Sequence, residues 1–421
     1  MKGILILLLF FPAILKAQEN KLLRLNDVYD LALKNYPLLK QKDILKQTAD
    51  FNLDILEKGF MPLFSISGQA SYQSDVTSVK IPIPGFTVIQ PSKDQYKLLA
   101  DVSQLLYDGG NIQEQKKLQR INEDAEQQKL EVELYKIKER MNQLFLGVLY
   151  LDEQLKLTAL VKQDLETGFA KTEAQVNNGI AFRSNLNVLK AELIRNEQRI
   201  IELLATRKGY TDVIGLFIHS RLPAGVKLEK PDVGKTILTG SIQRPELKWY
   251  SAQSKLIAGQ RNLADARNRP KASLFVQGGY GRPGLNFLTN DFTPFYTAGL
   301  RFSWAFGGLY TIKKEKQLLD LNKRSVEIQQ ETFLLNTSSS LLMQQSELEK
   351  LQLLIAKDED IIALRIKVKD AAKAQLDNGV ITSNDYLREM NAEDQARQSL
   401  ITHQVQLLQA QINYQTISGN Q

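Results

Sequence analysis

The chain has 421 residues, 43% hydrophobic and 24% charged, with 24 Gly, 12 Pro and no Cys. This composition excludes extended disorder, and the missing cysteine excludes a disulfide framework, a thiolate metal site and a cysteine nucleophile. The two histidines, His219 and His403, are too far apart in sequence to suggest a metal or catalytic cluster, and the formal net charge of +7 is too dispersed to suggest a nucleic-acid partner.

Met1-Lys2 followed by the apolar run Gly3 to Leu15 and then Lys16-Ala17 reads as a cleavable secretory signal peptide, residues 1–17. Cleavage after Ala17 removes Lys2 and Lys16 and shrinks the basic excess. No later run approaches the 18 or so apolar residues of a spanning helix, so a membrane-embedded form of this chain has to be a closed β-barrel.

Residues 22 to 59 place Leu31, Leu38, Ile44, Leu45, Leu53 and Leu56 with few breakers and suit an amphipathic helix, stopped by Gly59 and Pro62. The period then becomes two: Phe64, Ile66, Gly68, Ala70 and Tyr72 alternate with Ser65, Ser67, Gln69 and Ser71. A loop around IPIPGF and a second extended stretch near Tyr96 to Leu106 complete a hairpin, polar on one face, over about 63–106. From Asn111 to Asn178 the pattern is helical. Leu130, Leu134, Ile137, Met141, Leu144, Val148, Leu151 and Leu155 step alternately by four and three, a heptad seam. As helix this stretch extends about 100 Å at ~1.5 Å per residue. Asn178-Gly179 marks the tip, and Ser184 to Phe217 returns.

The same order recurs. Asn35-Tyr36-Pro37 answers to Gln243-Arg244-Pro245, Pro62 to Pro270, Tyr107-Asp108-Gly109-Gly110 to Ala305-Phe306-Gly307-Gly308, Asn178-Gly179 to Asn378-Gly379, and YTDVIG at 210 to YQTISG at 414. A tandem duplication follows, with a first repeat at 18–220 and a second at 221–421. The second contains a hairpin at about 272–306 and a helical hairpin at 310–417, in which Leu348, Leu351, Ile355 and Ile362 form a looser seam. The expected fold class is mainly α with β: duplicated coiled-coil hairpins plus four transmembrane strands. Four strands leave two open edges in lipid, so several copies must pool them.

LALKNYP near the start, LLYDGG between strand and helix, and the turns NNGIAFRSNLNVLKAE and DNGVITSNDYLREMNAE together resemble the TolC-like outer membrane factor, or outer membrane efflux protein, family. The resemblance spans the chain beyond the signal peptide. It implies a homotrimer with a 12-stranded barrel in outer-membrane lipid and a helical tunnel in the periplasm. The function it implies is a passive exit duct of a tripartite efflux or type I secretion system, not an enzyme. Its partners would be a periplasmic adaptor (membrane fusion) protein and an inner-membrane RND or ABC transporter. The resemblance carries an adaptor-docking role to Gly179, Ile180, Ala181 and Ser184 and to Gly379, Val380, Ile381, Thr382 and Ser383. Where well-studied members narrow the tunnel with aspartates, this chain has Asn185, Asp385 and Arg388. Their tyrosine and arginine latch positions read Leu376 and Ile381, so the gate is held by other residues.

Gly279 to Gly284 spells GxGxxG but is read as a hairpin loop, since Pro283 would break a following helix. The aromatics Phe275, Tyr280, Phe287, Phe292, Phe295, Tyr296, Phe302, Trp304 and Phe306 suit an interfacial girdle. No catalytic motif, cofactor or metal site is expected. The alternative reading is a non-channel periplasmic coiled-coil adaptor or scaffold whose short strands form a small head.

Overall fold

The computed structural model describes residues 22–77, 90–232, 241–287 and 289–420. The expected signal peptide, residues 1–17, and the IPIPGF loop lie outside the described residues. The chain forms two compact units, one drawn from residues up to Leu39, Glu133–Arg244 and Asn336 onward, the other from Lys40–Val132 and Pro245–Leu335.

The expected helix over 22 to 59 is two helices, α1 (Leu25–Asn35) and α2 (Gln41–Glu57), separated by a 3-10 turn at Pro37–Lys40. The proline forces the correction. It cannot donate to the preceding turn and pushes Tyr36 to an extended ψ of 125°, outside the helical region.

Strands β1 (Leu63–Tyr72), β2 (Asp94–Tyr107), β3 (Lys271–Arg282) and β4 (Thr293–Ser303) form one antiparallel sheet in that order. Its outer neighbours, β1 and β4, are open edges. The GxGxxG segment is corrected too: Gly279 to Arg282 are the last residues of β3, and only Pro283 and Gly284 belong to the following loop. The register pairs Gly279 with Phe295 and Gly299 with Phe275, so each aromatic ring covers a glycine of the neighbouring strand.

Helix α3 runs Asn111–Asn177 and α4 Arg183–Phe217; α5 is Pro245–Arg267, α6 Gly307–Asp377 and α7 Ser383–Ser418. The LLYDGG motif builds the entry to α3. Asp108 is 4% exposed and accepts from the backbone N–H of Gly110 at 2.8 Å and of Ile112 at 2.5 Å, capping the helix. Gly109 has φ of +75°, and a Cβ there would meet Arg269 at 2.7 Å, so only glycine fits. The second repeat's Gly307-Gly308 opens α6 with neither positive φ nor an aspartate cap.

The heptad seam is buried at Leu130, Leu134, Ile137, Met141, Val148 and Leu151, yet Phe145 and Leu146, off the seam, are equally buried. The middle of α3 is therefore covered on more than one side. A Cβ at Gly147 would lie 2.4 Å from Tyr210, which measures how closely α4 packs there. Around it, Tyr29 donates its hydroxyl to Asn142 Oδ1, Asn142 donates to Thr416 Oγ1 at 3.1 Å, and Tyr135 donates to the Thr416 carbonyl at 2.7 Å. Arg207, 8% exposed, is satisfied by Asp152 at 2.5 Å and by the Ala224 and Val226 carbonyls. These are two buried polar sets, one joining α1, α3 and α7 and the other joining α3, α4 and the linker after α4.

Candidate functional site

The sheet sorts its side chains cleanly because successive residues point to opposite faces. The register puts Phe64, Ile66, Leu98, Val102, Leu274, Val276, Tyr280, Tyr296, Leu300 and Phe302 on one face. Most are exposed: Ile66 by 80%, Tyr296 by 79% and Leu300 by 74%. Burying so large an apolar surface is the main driving force available to this unit, and the chain by itself does not bury it. The opposite face is mainly polar, with Ser65, Ser67, Gln69, Lys97, Asp101, Gln277, Thr297 and Arg301, and also carries Leu63, Leu99 and Leu105.

Aromatics gather at both ends of the apolar face. At the loop end Tyr96, Tyr280 and Phe292 stack at 5.8 and 6.3 Å between centroids, with the Arg282 guanidinium over Tyr96 and Phe292. At the helix end Trp304 lies 4.7 Å from Phe306 and donates its indole N–H to the Asn268 carbonyl at 3.0 Å. Two of the aromatics expected in the girdle, Phe275 and Phe295, are instead on the polar face. Sequence proximity did not reveal this, because parity within the strand decides the face.

A second exposed apolar surface runs along α6. Leu335, Leu342, Leu353 and Leu364, spaced by seven and eleven residues, fall on one stripe and are exposed by 62% to 71%.

The helical hairpins end in two matching turns. Gly179 and Gly379 have φ of +72° and +71°. The N–H of Ile180 donates to the Gln175 carbonyl at 2.8 Å and that of Gly179 to Val176 at 3.0 Å; Val380 with Gln375, and Gly379 with Leu376, repeat this at 2.9 and 3.0 Å. Each is a Schellman cap requiring a left-handed residue. Nothing lies within 4 Å of the position a Cβ would take on either glycine, and Ile180, Phe182 and Val380 project with 69%, 79% and 71% exposure.

The restarts differ. Thr382 and Asp385 form a capping box: Thr382 N–H and hydroxyl donate to Asp385 Oδ2 at 3.1 and 2.7 Å, and Asp385 N–H donates back at 3.3 Å. These hydrogen bonds, helped by Arg388, hold the Asp385 carboxyl below the usual range. Phe182 and Asn185 occupy the matching places in the first hairpin, and Phe182 provides no side-chain cap. The structure thus gives Asp385 a local bonding role that its sequence position did not disclose. Of the other expected tip residues, Ser383 is buried, Ala181 and Ile381 are half-buried, and Ser184 and Arg388 are exposed.

Behind the tips, Leu165, Leu189, Ala372, Leu376, Tyr386, Leu387 and Met390 form an apolar cluster against which Ile381 packs. Leu376 and Ile381 therefore contribute apolar packing. Charged pairs join the same helices. Lys369, 16% exposed at its side chain, lies 2.7 Å from Glu393 and 3.0 Å from Asp164, and Glu393 also receives Arg397 at 2.7 Å. Burial works against the Lys369 charge, but the hydrogen bonds to Glu393 and Asp164 outweigh it and raise its pKa. Lys171 pairs with Asp377 at 2.8 Å. Sequence reasoning missed the Lys369–Asp164 and Lys171–Asp377 pairs because these partners stand about 205 residues apart.

The model of the family "Outer membrane efflux protein" matches residues 28–217. No curated protein matches the chain by sequence. Among solved structures, CusC, whose description concerns transmembrane channel formation, is 13% identical with a TM-score of 0.69, covering 94% of this chain and 92% of its own. The outer-membrane channel OprN is 14% identical with a TM-score of 0.68, covering 94% and 90%. The outer membrane protein VceC of Vibrio cholerae is 14% identical with a TM-score of 0.66, covering 94% and 96%. The resemblance read from the sequence is thus present in a family model over the first repeat and in the fold over nearly the whole chain.

Proposed function

We propose, from a first repeat that matches the outer membrane efflux protein family and a chain that has the fold of outer membrane channels, that this protein is a passive outer-membrane exit duct. It works as a homotrimer that passes cargo from a periplasmic adaptor and an inner-membrane RND or ABC transporter to the exterior. The observation that carries the reading is the sheet: an exposed apolar face, aromatics at both its ends, a polar opposite face and two open edges. Unpaired edge groups are too costly in lipid for a four-stranded sheet to span alone. Three copies joined edge to edge give twelve strands, place the apolar face in lipid and enclose the polar face. The alternative, a periplasmic scaffold with a small soluble head, would leave the apolar face in water.

The leucine stripe of α6 is the contact between copies in this reading. The tips, Gly179 to Ser184 and Gly379 to Ser383, receive the adaptor, with Ile180, Phe182 and Val380 as their apolar projections. Asn185, Asp385 and Arg388 border the periplasmic gate, and the Lys369 network together with the Leu376 cluster keeps the hairpins closed. Purified protein reconstituted in planar bilayers should conduct, and an outer-membrane fraction should contain it. Absence of conductance together with recovery from the soluble periplasm would refute the duct.

A further inference from the structure

The polar face of the sheet carries three cations, Lys97, Lys271 and Arg301, against one carboxylate, Asp101. Among the described residues none of the three forms an ion pair. Asp101 is engaged elsewhere, accepting from Gln277 Nε2 at 2.6 Å. Arg301 is held in place by a ring: its guanidinium lies 4.8 Å from the centroid of Phe275. That ring lies flat because its cross-strand partner is Gly299, where a Cβ would meet it at 3.2 Å. Glycine, phenylalanine and arginine thus form a platform that presents an unpaired cation on the polar side of β3 and β4.

We infer that the barrel lumen is an anion-favouring exit, with Arg301, Lys97 and Lys271 as its selectivity residues, suited to solutes bearing carboxylate, sulfonate or phosphate groups. The inference rests on the duct reading, which makes this face the lumen. Three copies place nine cations and three carboxylates around one aqueous path. Low-dielectric walls focus such a field and raise the local concentration of anions.

The test exploits the absence of cysteine, which makes any introduced thiol the sole target. Ser303→Cys puts a thiol on the polar face, two residues from Arg301 and opposite Lys271. In outer-membrane vesicles it is modified by an anionic methanethiosulfonate bearing a sulfonate and by its trimethylammonium counterpart. The ratio of the two rates is compared with that of a free thiol, which cancels effects on thiol ionisation. One unit charge about 10 Å away in water favours a monoanion over a monocation by about four-fold. The ratio should therefore rise several-fold at low salt and fall back at 1 M salt, where screening acts within about 3 Å. Neutralising Arg301→Gln, Lys97→Gln and Lys271→Gln together should bring it down to the free-thiol value or below, since Asp101 remains, whereas Arg301→Lys should preserve it. A ratio at or below the free-thiol value with the three cations in place, or one unchanged by neutralisation, overturns the inference. Ala298→Cys, on the apolar face, separates the two levels: if it reacts with both reagents as readily as Ser303→Cys, the duct reading itself fails.

Discussion

At the tips, single residues hold two opposed pH responses. Asp385, with its carboxyl depressed by Thr382, contributes stability above the ordinary aspartate range and loses it as pH falls through its lower folded value. Asp394 in α7 is shifted the other way: burial raises its pKa, with Gln398 only partly compensating. Its contribution favours the folded state in acid and declines as pH rises past the unfolded value toward the folded one. Asp394→Asn should therefore raise the thermal midpoint at pH 7, with the difference from the parent shrinking toward pH 4. Thr382→Ala should speed amide exchange at the first turn of α7 at neutral pH, where the box is intact in the parent. Lys369 is the third determinant. Lys369→Met strands Asp164 without its cation, and the expected local loss is about 1–3 kcal/mol, seen as faster amide exchange in α6 and α7 behind the tips. The Lys369–Asp164 pairing was not legible in the sequence, because it is fixed by packing between segments about 205 residues apart. The glycines were legible, because Asn-Gly at a change of helical phase demands a left-handed cap, and the Thr382–Asp385 box is a local spacing that the sequence reading passed over.

The elements follow from periodicity, and their departures have local causes. Alternation of period two located β1, and β2 was read as the extended stretch that completes its hairpin; grouping the aromatics by proximity overlooked the parity that turns Phe275 and Phe295 away from the others. The heptad seam located α3 but did not mark Phe145 and Leu146, which are buried off the seam. Helix α4 is close enough at Gly147 that Gly147→Val should overpack against Tyr210 and cost about 1–3 kcal/mol. Tyr210→Ala in the same chain should restore part of the loss, which chemical denaturation can check. The stripe of α6 makes the complementary point. Leu335, Leu342, Leu353 and Leu364 look like core in the sequence and are exposed in the single chain, so they require an external partner. Leu342→Glu with Leu353→Glu should shift the proposed trimer toward monomer in mild detergent and leave α6 helical by circular dichroism.

For the whole molecule, every feature that the isolated chain leaves unsatisfied is answered by the same assembly. Two open strand edges, one apolar sheet face and one apolar helical stripe each lack a partner in a single copy; in the proposed ring of copies the neighbouring chains cover the edges and the stripe, and lipid covers the sheet face. Turns and prolines that recur at nearly constant offsets are what suggest a duplication of the chain; the number of copies entered only through the family resemblance. The central claim is that the strands of three chains close one barrel in the outer membrane. Its most direct test is the mass of the particle extracted from outer-membrane fractions in mild detergent, measured by native mass spectrometry. The account predicts three copies of the chain in one lipid-associated particle; a monomer released without detergent would contradict it.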